Sequence, residues 1–278
     1  MPFFIACDID HTLLNDQGDL LEENVQALAK ARDLGSTVIL ATARSYAGAL
    51  PIHEALELDT PLVVSNGTLV CDPGGSVLHT QTIHAETARK IVPLFRETPH
   101  HWSFRTGEAA LIHPQFDISR PPFDNKRYYR QTDHAALDEL LGDHNTLITA
   151  SLFGIPLREF FAQHDWTGLE LTADYYPPSH YNSLEAMSVM STSASKGNAV
   201  AWLREYLGLE DAPTLCIGDS IADASMFGLG TGVAPANASA EVRERAAWVA
   251  PHCDVGAVAA MLERYVLSSK RVEPSVSV

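Results

Sequence analysis

The sequence predicts an α/β fold: a doubly wound parallel sheet with a second, α+β segment inserted into it. Three observations lead there. Short, wholly apolar runs alternate with helix-patterned stretches from Phe3 to about Thr82. That rhythm stops at about Ile83 and returns after Met190. Two of the apolar runs, one near each end of the chain, finish in pairs of aspartates, at the strand exits where open α/β sheets bind ligands.

Phe3-Phe4-Ile5-Ala6-Cys7 contains nothing polar, the mark of a strand buried on both faces. From about Glu22 to Leu34, Val25, Leu28, Ala29 and Arg32 recur at helical spacing, and Gly35 follows as a stop signal. Thr37-Val38-Ile39-Leu40-Ala41 is the next buried strand. It leads through Thr42-Ala43-Arg44-Ser45 into a helix that Pro51 should break or kink. Pro61 to Ser65 is a third strand, ending at Asn66-Gly67, and Thr68 to Thr82 reads as a hairpin turning at Asp72-Pro73-Gly74-Gly75.

Between Ile83 and Met190 prolines and aromatics are denser and the strands less apolar; candidates are Ser103–Phe104, Ala110–His113, Leu147–Phe153 and Leu169–Thr172. The expected domains are therefore 1–82 with 191–278 as the core and 83–190 as an inserted α+β domain. Afterwards Ser195 caps a helix from Lys196 to Leu207, and Thr214-Leu215-Cys216-Ile217 is another apolar strand. Gly232-Val233-Ala234 and Trp248-Val249-Ala250 follow as short strands, with a helix near Glu241–Ala247 between them. Val255 to Leu267 closes the pattern as an amphipathic helix, and the last residues read as a frayed tail.

The chain has 278 residues, 46% of them hydrophobic and 19% charged, as expected of a globular protein with a sizeable core. Its formal net charge of −16 gives it no electrostatic reason to bind nucleic acid or an anionic membrane, and any anionic substrate needs local cations. No apolar stretch approaches the length of a membrane span, and the N-terminus enters a strand without a basic signal region. Cys7, Cys71, Cys216 and Cys253 are widely spaced, with no C-x-x-C pair. That pattern fits reduced, buried thiols in a cytoplasm rather than a disulfide framework or a zinc site. Oligomeric state is not written in the sequence.

Asp8 and Asp10 leave the first strand one residue apart, two anions that repel unless a cation lies between them. The pair implies a bound metal or strongly shifted pKa values. Gly218-Asp219-Ser220-Ile221-Ala222-Asp223 repeats the arrangement after the Thr214–Ile217 strand, and a helical turn there would put Asp219 and Asp223 on one side. Together they suggest a single acidic site assembled from both ends of the chain.

Asp8-x-Asp10-x-Thr12-Leu13, Thr42 after the second strand, Lys196 opening a late helix and Gly218-Asp219-Ser220-x-x-Asp223 resemble the motifs of the haloacid dehalogenase superfamily of phosphatases. Within it the chain is similar to the Cof-type subclass (IIB), to which the Ser65-Asn66-Gly67 turn and the stretch from Gly232 to Ala238 also correspond. The resemblance covers roughly 1–82 and 191–278; in between it is one of position and size only. It implies a Rossmann-like core with an inserted α+β cap that closes to exclude water and sets substrate specificity.

It further implies Mg²⁺-dependent hydrolysis of a small phosphorylated metabolite, such as a sugar phosphate, through an aspartyl-phosphate. Asp8 would be the nucleophile and Asp10 the general acid and base. Mg²⁺ would be held by the Asp8 carboxylate, the Asp10 carbonyl, Asp219 and Asp223, and Lys196 would neutralise charge on Asp8 and the phosphoryl oxygens. Thr42 would offer its hydroxyl to a phosphoryl oxygen, and Asn66 and Gly67 would hold the substrate phosphate or leaving group. Blander roles stand beside these: turn or helix capping for Asp10 and Asp223, a solvated first-turn lysine for Lys196, an N-cap for Thr42, an ordinary hairpin for Asn66-Gly67.

The chain departs from the family pattern at His11 and Ala43, where glycine is usual, at Ala222, where asparagine is common, and at Pro235, a common methionine position. These changes bear on metal affinity and rate more than on reaction class. Two other functions fit the same motifs, a phosphomannomutase-like phosphotransferase and a non-catalytic phosphometabolite-binding protein. A response-regulator-like receiver also uses an acidic Mg²⁺ site, but needs no insert of this length. From the insert, His100-His101-Trp102, Arg120, Arg127-Tyr128-Tyr129-Arg130, Tyr175, Tyr176, His180 and Tyr181 are candidates for substrate contact.

Overall fold

The computed structural model describes residues 2–106, 110–117, 119, 129–132, 147–154, 157–176 and 184–268. In chain order it begins with β1 (Phe4–Cys7), α1 (Glu22–Asp33), β2 (Thr37–Leu40), α2 (Tyr46–Ala55), β3 (Leu62–Val64), β4 (Leu69–Cys71) and β5 (Val77–Thr80). Next come α3 (Ala85–Arg96), β6 (His101–Arg105), β7 (Ala110–Ile112), β8 (Tyr129–Gln131), β9 (Thr149–Gly154), α4 (Leu157–Ala162), β10 (Leu171–Tyr176) and β11 (Glu185–Ser191). The C-terminal part holds α5 (Lys196–Tyr206), β12 (Thr214–Ile217), α6 (Ile221–Phe227), β13 (Thr231–Pro235), α7 (Ala240–Arg245), β14 (Trp248–Ala250) and α8 (Ala257–Leu262). Two compact units result, Met1–His79 with Ser195–Val278, and Thr80–Ala194.

The first unit is built on a parallel sheet in the order β14-β13-β12-β1-β2. All four side chains of β1 are fully buried, as an unbroken apolar strand with a parallel neighbour on each side must be. On one face Phe4, Ala6, Ile39, Cys216 and Ala234 pack with Ala199, Val200 and Leu203 of α5, Met226 and Phe227 of α6 and Val242 of α7. The alternating residues Ile5, Cys7, Val38 and Leu40 are equally buried, so the other face is covered too. Each large apolar side chain so buried contributes roughly 1.5–3 kcal/mol before entropy is counted. Strand order reverses between β1 and β12: β2 lies on one side of β1, and β12, β13 and β14 extend on the other. A crevice at the carboxyl ends of those two strands is where such sheets bind ligands.

Two local expectations change. Pro51 lies inside α2, which runs on to Ala55; one backbone bond is forfeited, and Leu56 still bonds to Ile52. The third strand, β3, does not extend the parallel sheet by a regular ladder. It shares one parallel bridge, Ala41 to Val63, and otherwise belongs to a small sheet in the order β3-β4-β5, antiparallel to β4. The cause is the tight reversal at Ser65, Asn66 and Gly67, whose φ values of 50°, 54° and 84° are all left-handed.

The second unit is a sheet in the order β10-β11-β9-β6-β7-β8, antiparallel except for the β7–β8 pair. Its α3 buries Ala88, Ile91, Val92 and Phe95, one stripe at helical spacing, against Trp102, Phe104, Leu152, Met187 and Val189 of the sheet. Among the described residues no helix is long and apolar enough to cross a membrane. The four cysteines are buried, three of them within β1, β4 and β12.

Candidate active site

Asp8 follows β1 directly, its N–H donating to the Ile217 carbonyl of β12 at 3.0 Å, and it is only 4% exposed. The chain then turns tightly through Ile9–Leu13, closed by a bond from Leu14 N–H to the Ile9 carbonyl. His11 occupies the left-handed position of this turn, with φ of 55°, which explains why glycine is the easier residue there. Its Nδ1 donates to Asp16 Oδ1 at 2.8 Å, and its side chain is exposed.

The second pair of carboxylates arrives from β12. Asp219 accepts a hydrogen bond from Thr12 Oγ1 at 3.2 Å, joining the two motif loops. Asp223, fully buried on α6, folds back to accept from Ser220 N–H and Ser220 Oγ at its Oδ2, 2.9 and 2.6 Å away. Ser220 in turn caps the helix, so Asp223 is both a capping residue and a member of the cluster. Gly218 makes room for it, since a Cβ there would lie 2.2 Å from the Asp223 Cβ.

Lys196 supplies the cation. Ser195 caps α5, accepting from Asn198 N–H at 3.0 Å, and Lys196 follows as the first helical residue. Its ammonium donates to Asp8 Oδ1 at 2.7 Å and to Asp223 Oδ1 at 2.5 Å with 3% of the side chain exposed, so it is not the solvated first-turn lysine. Two glycines set the helix in place. A Cβ on Gly67 would lie 2.1 Å from the Ser195 carbonyl oxygen, and one on Gly197 would lie 2.2 Å from the Ser225 carbonyl oxygen. The Asn66-Gly67 turn is therefore the β3–β4 hairpin turn and also the seat of the Lys196 helix.

Burial pushes the Asp8 carboxyl well above the usual carboxylate range, and the nearby Asp223 adds to this while Lys196 opposes it. Burial alone would lower Lys196, but the Asp223 and Asp8 carboxylates outweigh it and hold the ammonium above its ordinary range. Burial, then Asp223, raises Asp219 to about 6. The site thus carries more negative charge than one lysine offsets.

Asp10 faces elsewhere. Both its oxygens are taken by Arg44, Nε to Oδ2 at 2.8 Å and Nη2 to Oδ1 at 2.6 Å, while Arg44 Nη1 donates to the Gly48 carbonyl at 3.2 Å. Arg44 is the residue that sequence reading passed over; its signal was a lone cation immediately after a strand end. Thr42, fully buried, accepts from Arg44 N–H at 3.0 Å through its hydroxyl. It is not the α2 N-cap; Ser45 is. Asn66 N–H bonds to the Thr42 carbonyl and Ser65 N–H to that of Arg44, at 3.0 and 2.8 Å, so the two loops are laced together.

The structure brings Asp8, Asp219, Asp223 and Lys196 into one cluster. One oxygen from each of the three aspartates lies within 4.8 Å of the others, a wholly oxygen, anionic donor set that suits a hard divalent cation. The Asp10 side chain is outside that set.

A family model described as haloacid dehalogenase-like hydrolase matches residues 5–262. The chain belongs to this family. It is accordingly an enzyme, a hydrolase with the doubly wound core and inserted α+β unit described above. Phosphatase YwpJ of Bacillus subtilis is 26% identical over 281 residues, covering 93% of this chain and 98% of that protein. Pyridoxal phosphate phosphatase YbhA of Escherichia coli is 28% identical over 257 residues, covering 87% and 90%. In fold, the chain is similar to the crystal structure of TM0651 from Thermotoga maritima, with a TM-score of 0.75, 22% identity, and 98% of this chain and 100% of that one covered.

In the inserted unit, Trp102 is fully buried in the sheet's core and is not available to a substrate. Tyr175 lies under the Arg158 guanidinium, 4.3 Å from its ring centre. Tyr129 and Arg130 lie on β8 and Tyr176 on β10. Arg120, Arg127, Tyr128, His180 and Tyr181 fall outside the described residues.

Proposed function

We propose that the chain is a Mg²⁺-dependent phosphatase that hydrolyses a small phosphorylated metabolite, a sugar phosphate or similar monoester, through an aspartyl-phosphate at Asp8. The phosphatase class rests on family membership and on curated relatives that carry that name. The observation that carries the finer reading is the Lys196 ammonium lodged between Asp8 and Asp223 in a buried cluster of three aspartates. A cation fixed there opposes the rise that burial imposes on the Asp8 carboxyl and holds its side chain in place, as a nucleophile toward phosphorus requires.

In this reading an Asp8 oxygen bonds to phosphorus, the bond to the leaving oxygen breaks, and Asp10 gives that oxygen its proton. Asp10 then takes a proton from water as the water attacks phosphorus and frees Asp8. The Arg44 fork holds the Asp10 carboxylate in place through both of its oxygens, so Asp10 gives up one of those bonds when it carries the proton. Thr42, Asn66 and Gly67 are assigned to the phosphoryl oxygens and the substrate phosphate. Asp8, Asp219, Asp223 and the Asp10 carbonyl would hold Mg²⁺, which when bound neutralises charge on those oxygens. Substrate choice is assigned to the inserted unit, and buried, widely spaced cysteines favour a cytoplasmic setting.

The test is phosphate release from sugar phosphates, phosphoglycolate, pyridoxal phosphate and nucleotides, with Mg²⁺ and after chelation. Release that needs the ion and vanishes in Asp8→Asn, with the fold retained by circular dichroism, is expected. Undiminished turnover by Asp8→Asn would sink the covalent route. Conversion of a sugar 1-phosphate to its 6-phosphate without free phosphate would make the enzyme a mutase instead.

A further inference from the structure

Lys196 is held by the peptide group on each side of it, and one of the two holds comes from a residue beyond the last motif aspartate. On the N-terminal side, the Ser195 carbonyl oxygen packs against Gly67. On the C-terminal side, the Gly197 N–H donates to Ser225 Oγ at 2.9 Å. We propose that Ser225 is a positioning residue of the phosphatase reaction, a hydroxyl latch that fixes the start of the Lys196 helix on the helix carrying Asp223. The proposal rests on the reading of Lys196 as the cation at the Asp8 nucleophile.

The latch follows from what the start of a helix leaves open. The first N–H groups of α5 have no partner within the helix. Ser195 Oγ takes the one from Asn198 at 3.0 Å, as an ordinary N-cap does. The Gly197 N–H is taken from outside, by a side chain 28 residues away on α6. Ser225 can serve because a hydroxyl donates and accepts at once. Its proton goes to the Ala222 carbonyl at 2.5 Å, one turn back on α6, and that bond turns a lone pair toward Gly197.

The approach is close enough to need glycine. A Cβ at position 197 would lie 2.2 Å from the Ser225 carbonyl oxygen and 3.2 Å from the Ser225 Cβ, so the helices meet backbone to backbone. The Ser225 side chain is exposed, and its two hydrogen bonds go to backbone groups. It therefore acts through Lys196 and not on substrate. Water bound in its place would satisfy the Gly197 N–H without tethering it to α6.

The consequence lies two residues back along α6. Asp223 accepts from the Lys196 ammonium at 2.5 Å, while Ser220 holds its other oxygen. Lysine is a point charge on a flexible four-carbon stem, so its ammonium is only as well placed as the backbone beneath it. With the latch closed, the backbone of Lys196 is tied to the same helix that carries its Asp223 partner. The 2.7 Å approach of the ammonium to Asp8 Oδ1 is then set by the fold as well as by the ion pair.

The test compares Ser225→Thr, which keeps the hydroxyl, with Ser225→Val, which has the same shape without it. In the metal-free protein, the Gly197 amide should exchange slowly with solvent in the parent and in Ser225→Thr, and fast in Ser225→Val. With p-nitrophenyl phosphate and excess Mg²⁺, Ser225→Val should lower kcat about tenfold at unchanged KM, a displacement smaller than the roughly 1 Å that costs a hundredfold. Ser225→Thr should restore it. In a Lys196→Met background, where most turnover is lost, Ser225→Val should cost nothing further, because the latch has no ammonium left to place. A Gly197 amide that exchanges alike in all three proteins overturns the latch whatever the activity. So does a parental kcat in Ser225→Val, which leaves the role of Lys196 standing if Lys196→Met is impaired. A fully active Lys196→Met overturns both readings, and an equal loss from Ser225→Val with and without Lys196 makes Ser225 a residue of stability alone.

Discussion

Arg44 grips Asp10 with two parallel hydrogen bonds, 2.8 and 2.6 Å long, across 34 residues of sequence. A fork of this kind fixes the carboxylate in a plane as well as in position, which a lysine cannot do. It ties the end of the second strand to the turn after the first, and so makes the proposed acid and base part of a rigid frame.

Replacing Arg44 should therefore damage catalysis through geometry. Arg44→Ala should lower kcat by about a hundredfold, the scale of a small misplacement of a reacting group. Arg44→Lys should recover little of it. Steady-state kinetics on the best substrate found would check this; full rescue by lysine would mean that only charge matters.

Lys196→Met should cost about 3–5 kcal/mol of stability, because it leaves Asp8 and Asp223 buried without their cation. Urea unfolding in metal-free buffer measures it. The double variant Lys196→Met/Asp223→Asn should regain part of the loss, as coupled neighbours do. A single variant as stable as the parent would contradict the arrangement.

Gly67→Ala places a methyl group where the Ser195 carbonyl oxygen already lies, at a φ of 84°. The left-handed conformation alone costs about 1–2 kcal/mol for alanine, and the clash adds to it. Thermal unfolding should register a lower Tm, and activity should fall with it as the start of the Lys196 helix is displaced.

His53 is fully enclosed, with Nε2 donating to the Thr60 carbonyl at 2.7 Å, and burial lowers its pKa from 6.5. The folded state therefore binds a proton less readily than the unfolded chain. Stability should be intact above pH 6.5 and decline as pH falls through that value toward the folded pKa. His53→Gln should flatten this segment of the stability profile; an unchanged slope would assign it to other groups.

Much of the first unit could be read from the chain because its strands are wholly apolar and its aspartates stand at their ends. Phe4–Cys7, Thr37–Leu40 and Thr214–Ile217 needed only local pattern. Arg44 did not announce itself, since its meaning lies in a partner brought near by the sheet. Ser45, not Thr42, took the helix cap because the chain needs two more residues to turn from strand into helix. In the insert, β11 was missed: Ser188 and two methionines blur its alternation, and its place is fixed by pairing with β9 and β10.

The carbonyl of Ser195 rests on Gly67 and Gly197 rests on the Ser225 carbonyl, at the point where the polypeptide re-enters the first unit. Among the described residues, the contacts that seat the ammonium and its helix, from Asp8, Asp223, Gly67 and Ser225, thus lie within that unit. An insert of different length or shape can be spliced between residues 79 and 195 while the charge geometry stays as it is. Under the proposed division of labour, what such a protein accepts and how it cuts are free to evolve on separate schedules.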